Sequence, residues 1–220
     1  NNFGKMRSVS CPSGPAFEGA LIQFGMRAAP GAIEHVRMTG TALEIQTIGG
    51  EPPVGIYGSG LFDAVAQMLL NGIIDSTGRM QPHPLVRNSG GVPEFVLVER
   101  SEGNDITVSQ KDVREMQLAK AAIRIGIQSL LESSNLSATE IDQVIIAGAF
   151  GTFIDVESAI TIGMLPPLPL DRFRQVGNAA GTGARMALVS KHQRERARQI
   201  ASEDGYIELA AIPDFSRKFA

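Results

Sequence analysis

The strongest constraint in this chain is a pattern that recurs three times: an apolar run, a glycine-rich turn, then a helical periodicity. Residues 143–166, QVIIAGAFGTFIDVESAITIGMLP, show it most compactly. Val144, Ile145 and Ile146 read as a short buried strand, because a brief apolar run closed by glycines suits a strand entering a tight turn. Gly148, Ala149, Phe150 and Gly151 make that turn. Asp155 is placed to cap a helix whose Val156, Ala159, Ile160 and Met164 share a face. The pattern returns as a strand over 54–57, a turn at Gly58, Ser59 and Gly60, and a helix over 61–70 with Leu61, Val65, Met68 and Leu69 on one side. Its third instance is a strand over 173–176 followed by GNAAGTGA at 177–184, which places Asn178, Gly181 and Gly183 at the opening of a helix running to about Ala201.

Such turns let a backbone approach a ligand closely, and a helix start leaves N–H groups unpaired. They also serve packing alone: Gly58 and Gly60 would equally permit strand and helix to touch. The chain has neither a GxxxxGKS or GxxxxGKT loop nor a GxGxxG fingerprint, which argues against P-loop and Rossmann sites. What remains is a nucleotide cleft built from several separate backbone turns.

Between these landmarks the chain is an α/β alternation. Residues 5–10 read as a strand. Pro12, Gly14 and Pro15 forbid a regular helix before Ala16, and 16–23 is either a short helix or a ligand-facing loop. Residues 35–39 and 42–47 alternate around Gly40-Thr41 and predict a β-hairpin. Residues 73–91 read as irregular; 94–100 and 105–109 read as paired strands. Ser109 with Asp112 opens a long helix over 110–132, with Val113, Met116, Leu118, Ala121, Ile125, Leu130 and Leu131 as its apolar face. Gly126 in its middle costs roughly 1 kcal/mol against alanine, which packing against a neighbouring backbone would explain. Ser137 and Glu140 match a capping box, and LPPLPL at 165–170 is rigid and extended. A late strand over 206–211 and a terminal helix over 213–220 complete the reading.

Composition narrows the function. The 220 residues suffice for one large domain or two small ones, and a net charge of −3 gives no reason to expect nucleic acid. The basic run at 191–198 reads as a solvated face. No stretch approaches the ~20 apolar residues that span a bilayer, so no membrane is expected. Cys11, the single cysteine, excludes an intrachain disulfide and a complete cysteine metal site, and reads as a buried, inert thiol in a reducing, cytoplasmic setting. His35, His83 and His192 have no metal spacing, and no metal ligand set is expected in the chain. Trp is absent, which removes stacking platforms for single strands or carbohydrates. A start at Asn1 rather than Met suggests a piece of something longer.

Five ordered segments carry a resemblance: CPSGPAFEGALIQFGMRAAPGAIE, GIYGSGLFDAV, DVREMQLAKAAIRIGI, VIIAGAFGTFIDVESAITIGMLP and VGNAAGTGARMAL. Together they resemble the carboxy-terminal part of the ATP-dependent reductive activators of corrinoid proteins, members of the acetate and sugar kinase, heat-shock chaperone and actin superfamily. The resemblance covers nearly the whole chain. It implies an α/β fold: a ribonuclease-H-like lobe of an actin-like ATPase, with a mixed sheet, flanking helices and a β-rich insertion at about 35–110. It implies a protein that couples ATP hydrolysis, with Mg, to reduction of cob(II)amide to cob(I)amide in a methyl-transferring corrinoid protein, drawing electrons from a two-iron two-sulfur cluster in an amino-terminal domain. A homodimer is implied as well. The turn matching Gly148, Ala149, Phe150 and Gly151 would lie beside the adenosine. The helix opening at Asn178, Gly181 and Gly183 is similar to the segment joining the two lobes. Cys11 to Gly14, with Glu18, is similar to the element after the second phosphate hairpin, and Glu18 would order a ribose hydroxyl, a Mg-bound water or a loop N–H, or simply brace its loop.

One departure matters. The family's two phosphate hairpins, resembling DxGTT and DxGTNGE, are not in these residues. The expectation is a chain that alone does not hydrolyse ATP, with unpaired strand edges where the second hairpin would lie, and there another chain (the amino-terminal portion as a separate chain among the possibilities), a swapped neighbour or a partial sheet. A small-molecule kinase of the same superfamily and a non-catalytic dimerisation or docking module stand as alternative functions.

Overall fold

A computed structural model describes residues 4–148 and 150–209. In chain order the strands are β1 (Met6–Val9), β2 (Ala32–Thr39), β3 (Ala42–Thr47), β4 (Gly55–Ile56), β5 (Val86–Ser89), β6 (Val92–Val98), β7 (Ile106–Ser109), β8 (Val144–Ile146), β9 (Phe173–Gln175) and β10 (Asp204–Ile207). The helices are α1 (Gly58–Leu70), α2 (Gln110–Ser133), α3 (Val156–Thr161), α4 (Ala179–Val189) and α5 (Lys191–Glu203). They divide into two compact units: Ser13–Ala121 with Ile154–Leu165, and the described parts of Asn1–Pro12, Ala122–Phe153 and Pro166–Ala220.

The first unit holds most of the buried apolar side chains. Strand β2 pairs antiparallel with β3 and parallel with β4. Its Ile33 and Val36 are wholly buried, and α1 supplies Leu61, Phe62, Val65 and Met68 to the same core. Strands β5, β6 and β7 form an antiparallel sheet whose Phe95, Ile106 and Val108 are buried. Helix α2 begins with the expected box: the Ser109 amide and hydroxyl donate to Asp112 Oδ2 at 2.8 and 2.7 Å, and the Asp112 amide donates to Ser109 Oγ. The buried Asp112 also accepts from the Gln23 amide at 2.9 Å, so one carboxylate caps the helix and pins a loop 89 residues away. Helix α3 is capped by Asp155, which accepts from the Ser158 amide at 2.7 Å.

The second unit contains two parallel pairs, β1 with β10 and β8 with β9. No sheet among the described residues has more than three strands. Ser137 and Glu140 form the capping box that the sequence predicts.

Several expectations are corrected. Strand β8 is not buried: Ile145 is 58% exposed, because only β9 lies beside it among the described residues. The stretch 73–91 is not irregular throughout, since β5 pairs with β6 across a turn made by Gly90 and Gly91, both at positive φ. The expected single helix through Ala201 is two helices, broken at Ser190, whose extended backbone (φ −131, ψ 119) lets its hydroxyl cap α5 by accepting from the Gln193 amide. The late strand lies earlier than 206–211, at Asp204–Ile207. The helix expected over 213–220 falls outside the described residues. On α2, Leu118 is 49% exposed, and the buried stripe runs through Val113, Met116, Ala119, Ala122 and Ile125. Cys11 is half-buried. A Cβ on Gly126 would lie 2.2 Å from Cys11 Sγ, so the glycine makes room for a side chain and not for a backbone.

Candidate functional site

Strands β8 and β9 are parallel neighbours, and each ends in one of the glycine turns. The chain leaves β8 through Gly148, at φ 112°, a conformation that an L side chain rarely adopts. The Gly148 amide donates to Gly177 O at 2.7 Å, and the Val176 amide donates to Ile146 O at 3.0 Å. The two turns are thereby stitched together at the carboxyl ends of adjacent parallel strands. In open α/β sheets that end is where ligands bind. Phe150, Gly151 and Thr152 form a 3₁₀ turn, and Gln175 Nε2 holds it by donating to Gly151 O at 2.6 Å. Ala149 lies outside the described residues. Asn178 caps α4, accepting at Oδ1 from the Gly181 amide at 2.9 Å. Gly181 is needed for that cap, because its Cβ would sit 2.7 Å from Asn178 Nδ2. Gly183 has open space where its Cβ would lie.

The remaining sequence-chosen residues belong to the other unit. Gly58, Ser59 and Gly60 are all buried at the start of α1. A Cβ on Gly60 would lie 2.2 Å from Ile33 O, and Ser59 Oγ donates to Glu34 O at 2.8 Å, so this turn is packed onto β2. Glu18 is exposed and ends the 3₁₀ turn Ala16–Glu18, which is anchored on α1 by Phe17 against Phe62 with ring centroids 5.0 Å apart. Burial, and then the charge of Glu18, raise the Tyr57 hydroxyl above its ordinary value, which places Glu18 near the residue that opens the Gly58 turn. Gly14 is exposed at φ 66°, with nothing near its Cβ position.

The sequence reading did not single out the charge cluster of this unit. Asp63 on α1 is wholly buried, and its Oδ2 meets His35 Nδ1 at 2.9 Å and Arg37 Nη1 at 3.2 Å. Arg37 Nη2 donates to Asp155 Oδ2 at 2.7 Å. Burial alone would raise the Asp155 carboxyl; the Ser158 amide and the Arg37 charge outweigh it and hold it below the usual carboxylate range. Arg37 answers in kind: burial would lower it, while Asp63 and Asp155 raise it. The only signal available was an Asp at the helix register of α1 facing an alternating strand, which does not distinguish a buried charge from a surface one.

Among the described residues no group of three or more His, Cys, Asp or Glu side chains is placed to hold a metal ion. None of the helices described is long and apolar enough to cross a membrane.

The fold defines the class. A solved structure titled "Reductive activator for corrinoid,iron-sulfur protein" superimposes with a TM-score of 0.87 at 40% identity, over 96% of this chain and 35% of that one. The fold is thus an actin-like, mixed α/β ASKHA domain. Residues 1–220 match the family described as the C-terminal domain of RACo, the ASKHA domain, and the chain belongs to that family. It is 40% identical to the corrinoid activation enzyme RamQ of Eubacterium limosum, over 97% of this chain and 38% of that protein. It is 27% identical to the [Co(II) methylated amine-specific corrinoid protein] reductase of Methanosarcina barkeri, over 89% of this chain and 37% of that one. The chain therefore spans under two-fifths of the length of these relatives.

Proposed function

We propose that this chain is the nucleotide-binding part of an ATP-dependent reductive activator that returns cob(II)amide corrinoid proteins to cob(I)amide for methyl transfer. The observation that carries this reading is the pair of glycine turns stitched by the Gly148 amide and Gly177 O at the carboxyl ends of β8 and β9. Gly148, Ala149, Phe150 and Gly151 would form the adenosine side, with Asn178, Gly181 and Gly183 beside them. Gly14, Glu18, Gly58, Ser59 and Gly60 are the further candidates from the family likeness. The names of the relatives support a corrinoid protein as the partner.

The described residues do not fit a metal centre. Cys11 offers one thiolate at most, and burial raises its pKa, which disfavours the ligating form. The carboxylates that face Mg²⁺ and the γ-phosphate, and the two-iron two-sulfur cluster, are accordingly assigned to other parts of a longer cytoplasmic polypeptide that works as a homodimer. In this reading residues 1–220 are the carboxy-terminal lobe, with an insertion at about 35–110, and a hairpin from that polypeptide lies against the edges of β1 and β8 that are unpaired among the described residues.

The test is calorimetric titration of the complete activator with ATP and ADP. A Gly183→Leu variant is tolerated by the helix, because the position is open, yet would fill the space proposed for the ligand. Binding by the unchanged protein that this variant loses is the expected result. No adenine-nucleotide binding by the complete protein overturns the reading.

A further inference from the structure

The turn that follows β8 is made of residues that do not hold one conformation by themselves. Gly148 leaves the strand at φ 112°, and Gly151 sits in the 3₁₀ segment Phe150–Thr152. Glycine visits several backbone regions at similar cost, so such a turn samples many shapes unless it is tied down. Its own internal tie is long: Thr152 Oγ1 donates to Gly148 O across 3.4 Å, beyond the range of a good O–H···O bond.

Shorter ties come from β9, and every residue in them belongs to the same compact unit. At the start of the turn the Gly148 amide donates to Gly177 O at 2.7 Å. At its end Gln175 Nε2 donates to Gly151 O at 2.6 Å and lies 3.5 Å from Thr152 O. Gln175 has this reach because it is the last residue of β9, in register with Ile146, the last residue of β8. Gly151 is buried, and a Cβ on it would lie 2.8 Å from Ile146 Cγ2, so the far end of the turn folds down onto the strand it has just left. The tie at Gly148 is backbone to backbone, and a side-chain substitution leaves it intact. The tie at Gly151 is made by the side chain of Gln175, which is itself exposed, so removing it opens no buried void.

We propose that Gln175 is a positioning residue for nucleotide binding. It acts through the turn and not on the ligand. By holding Gly151 O it fixes the far end of the turn that Gly148 begins, and so restricts two glycines and the residues between them to the shape that accepts the nucleotide. Binding then does not have to order the turn, which is how preorganisation raises affinity. The inference rests on the nucleotide reading above and names a determinant of the same site.

The complete activator is titrated calorimetrically with ATP in four forms: unchanged, Gln175→Met, Gln175→Asn and Gln117→Met. Methionine keeps the length and neutrality of glutamine and removes the donor; asparagine keeps the amide and shortens its reach by one methylene. Gln117→Met is the matched control, because Gln117 Nε2 likewise donates to a loop carbonyl, Thr77 O at 2.9 Å, in the other unit. The expected result is a roughly fivefold weaker Kd for Gln175→Met, the size of one hydrogen bond of about 1 kcal/mol, with the number of sites unchanged. Gln175→Asn shows the same loss, and Gln117→Met shows none. A merely structural role would lower the number of binding-competent sites and leave Kd alone; that outcome overturns the proposal. So does a Kd equal to that of the unchanged protein, or an equal loss in Gln117→Met. An unchanged protein that binds no nucleotide refutes the functional reading instead, and the two failures are distinct. If Gln175→Met does not fold, Gln175→Asn alone decides.

Discussion

Gly126 sits in the middle of the 24-residue helix α2, where alanine is worth roughly 1 kcal/mol more than glycine. The structure gives the reason for glycine in one contact. An alanine Cβ would lie 2.2 Å from Cys11 Sγ and 3.4 Å from Val9 Cγ1. Ordinary van der Waals separation is about 3.5–4 Å, so the sulfur must retreat by more than about 1 Å. Overpacking of this kind costs about 1–3 kcal/mol. Set against the helix gain, Gly126→Ala should destabilise by about 0–2 kcal/mol. Cys11→Ala removes the sulfur and should cost about 1 kcal/mol of lost burial. In the double variant the new methyl occupies the vacated space, and the helix gain returns. The coupling between the two changes should therefore be about 1–3 kcal/mol in favour of the double variant. Urea unfolding of the complete protein with each change, at matched m values, measures it. Additive effects refute the argument. So does a Gly126→Ala variant that is stabilised by the full helix gain, which would mean that Cys11 rotates aside freely.

Gly60→Ala should destabilise by about 2 kcal/mol in thermal melting, because its Cβ meets Ile33 backbone O and C at 2.2 and 2.8 Å; Gly183→Ala, with nothing within 4 Å, should stabilise by up to about 1 kcal/mol. Asp155→Ala should cost about 1 kcal/mol as a lost cap, while Asp155→Asn retains it. Since the folded carboxyl is held below its ordinary value of 3.8, its stabilisation is complete above that value and is lost as pH falls through the lowered one. Stability profiles of Asp155→Asn and the unchanged protein should thus converge at acid pH, and parallel profiles would contradict the assignment. In hydrogen exchange on the isolated chain, amides of α4 and α5, which bury no residue, should exchange well before those of β6 and β7.

Much of the fold was legible because local chemistry and tertiary packing agree. The Ser109–Asp112 box, the Asp155 cap, the hairpin about Gly40 and the β8–turn–α3 order are all written within a few residues. The errors have a common cause. Strand β5 reads Val-Arg-Asn-Ser, which no periodicity marks; it becomes a strand only because β6 offers partners. Ser190 ends α4 through a side-chain cap that opens α5, in a stretch that remains helical in composition on both sides. Ile145 is apolar without being buried, since burial depends on neighbours and not on the residue. Arg37 and Asp155 are 118 positions apart and could not be paired from the sequence.

The three glycine turns show how one sequence pattern reaches two physical outcomes. What separates them is what a side chain would strike. At Gly60 it strikes the backbone of β2, and Gly58, Ser59 and Gly60 are sealed within their unit. Glycine there has a packing reason, the close approach of α1 to Ile33 O. At Gly148 and Gly183 a side chain would strike nothing within 4 Å. Among the described residues, packing does not account for glycine at these two positions. Gly148 has a conformational reason in its φ of 112°. Gly183 has neither a clash nor a positive φ, and a glycine inside α4 forgoes roughly 1 kcal/mol against alanine. An open glycine one turn past the capped start of α4 is, in the proposed reading, where a ligand would supply the missing neighbour.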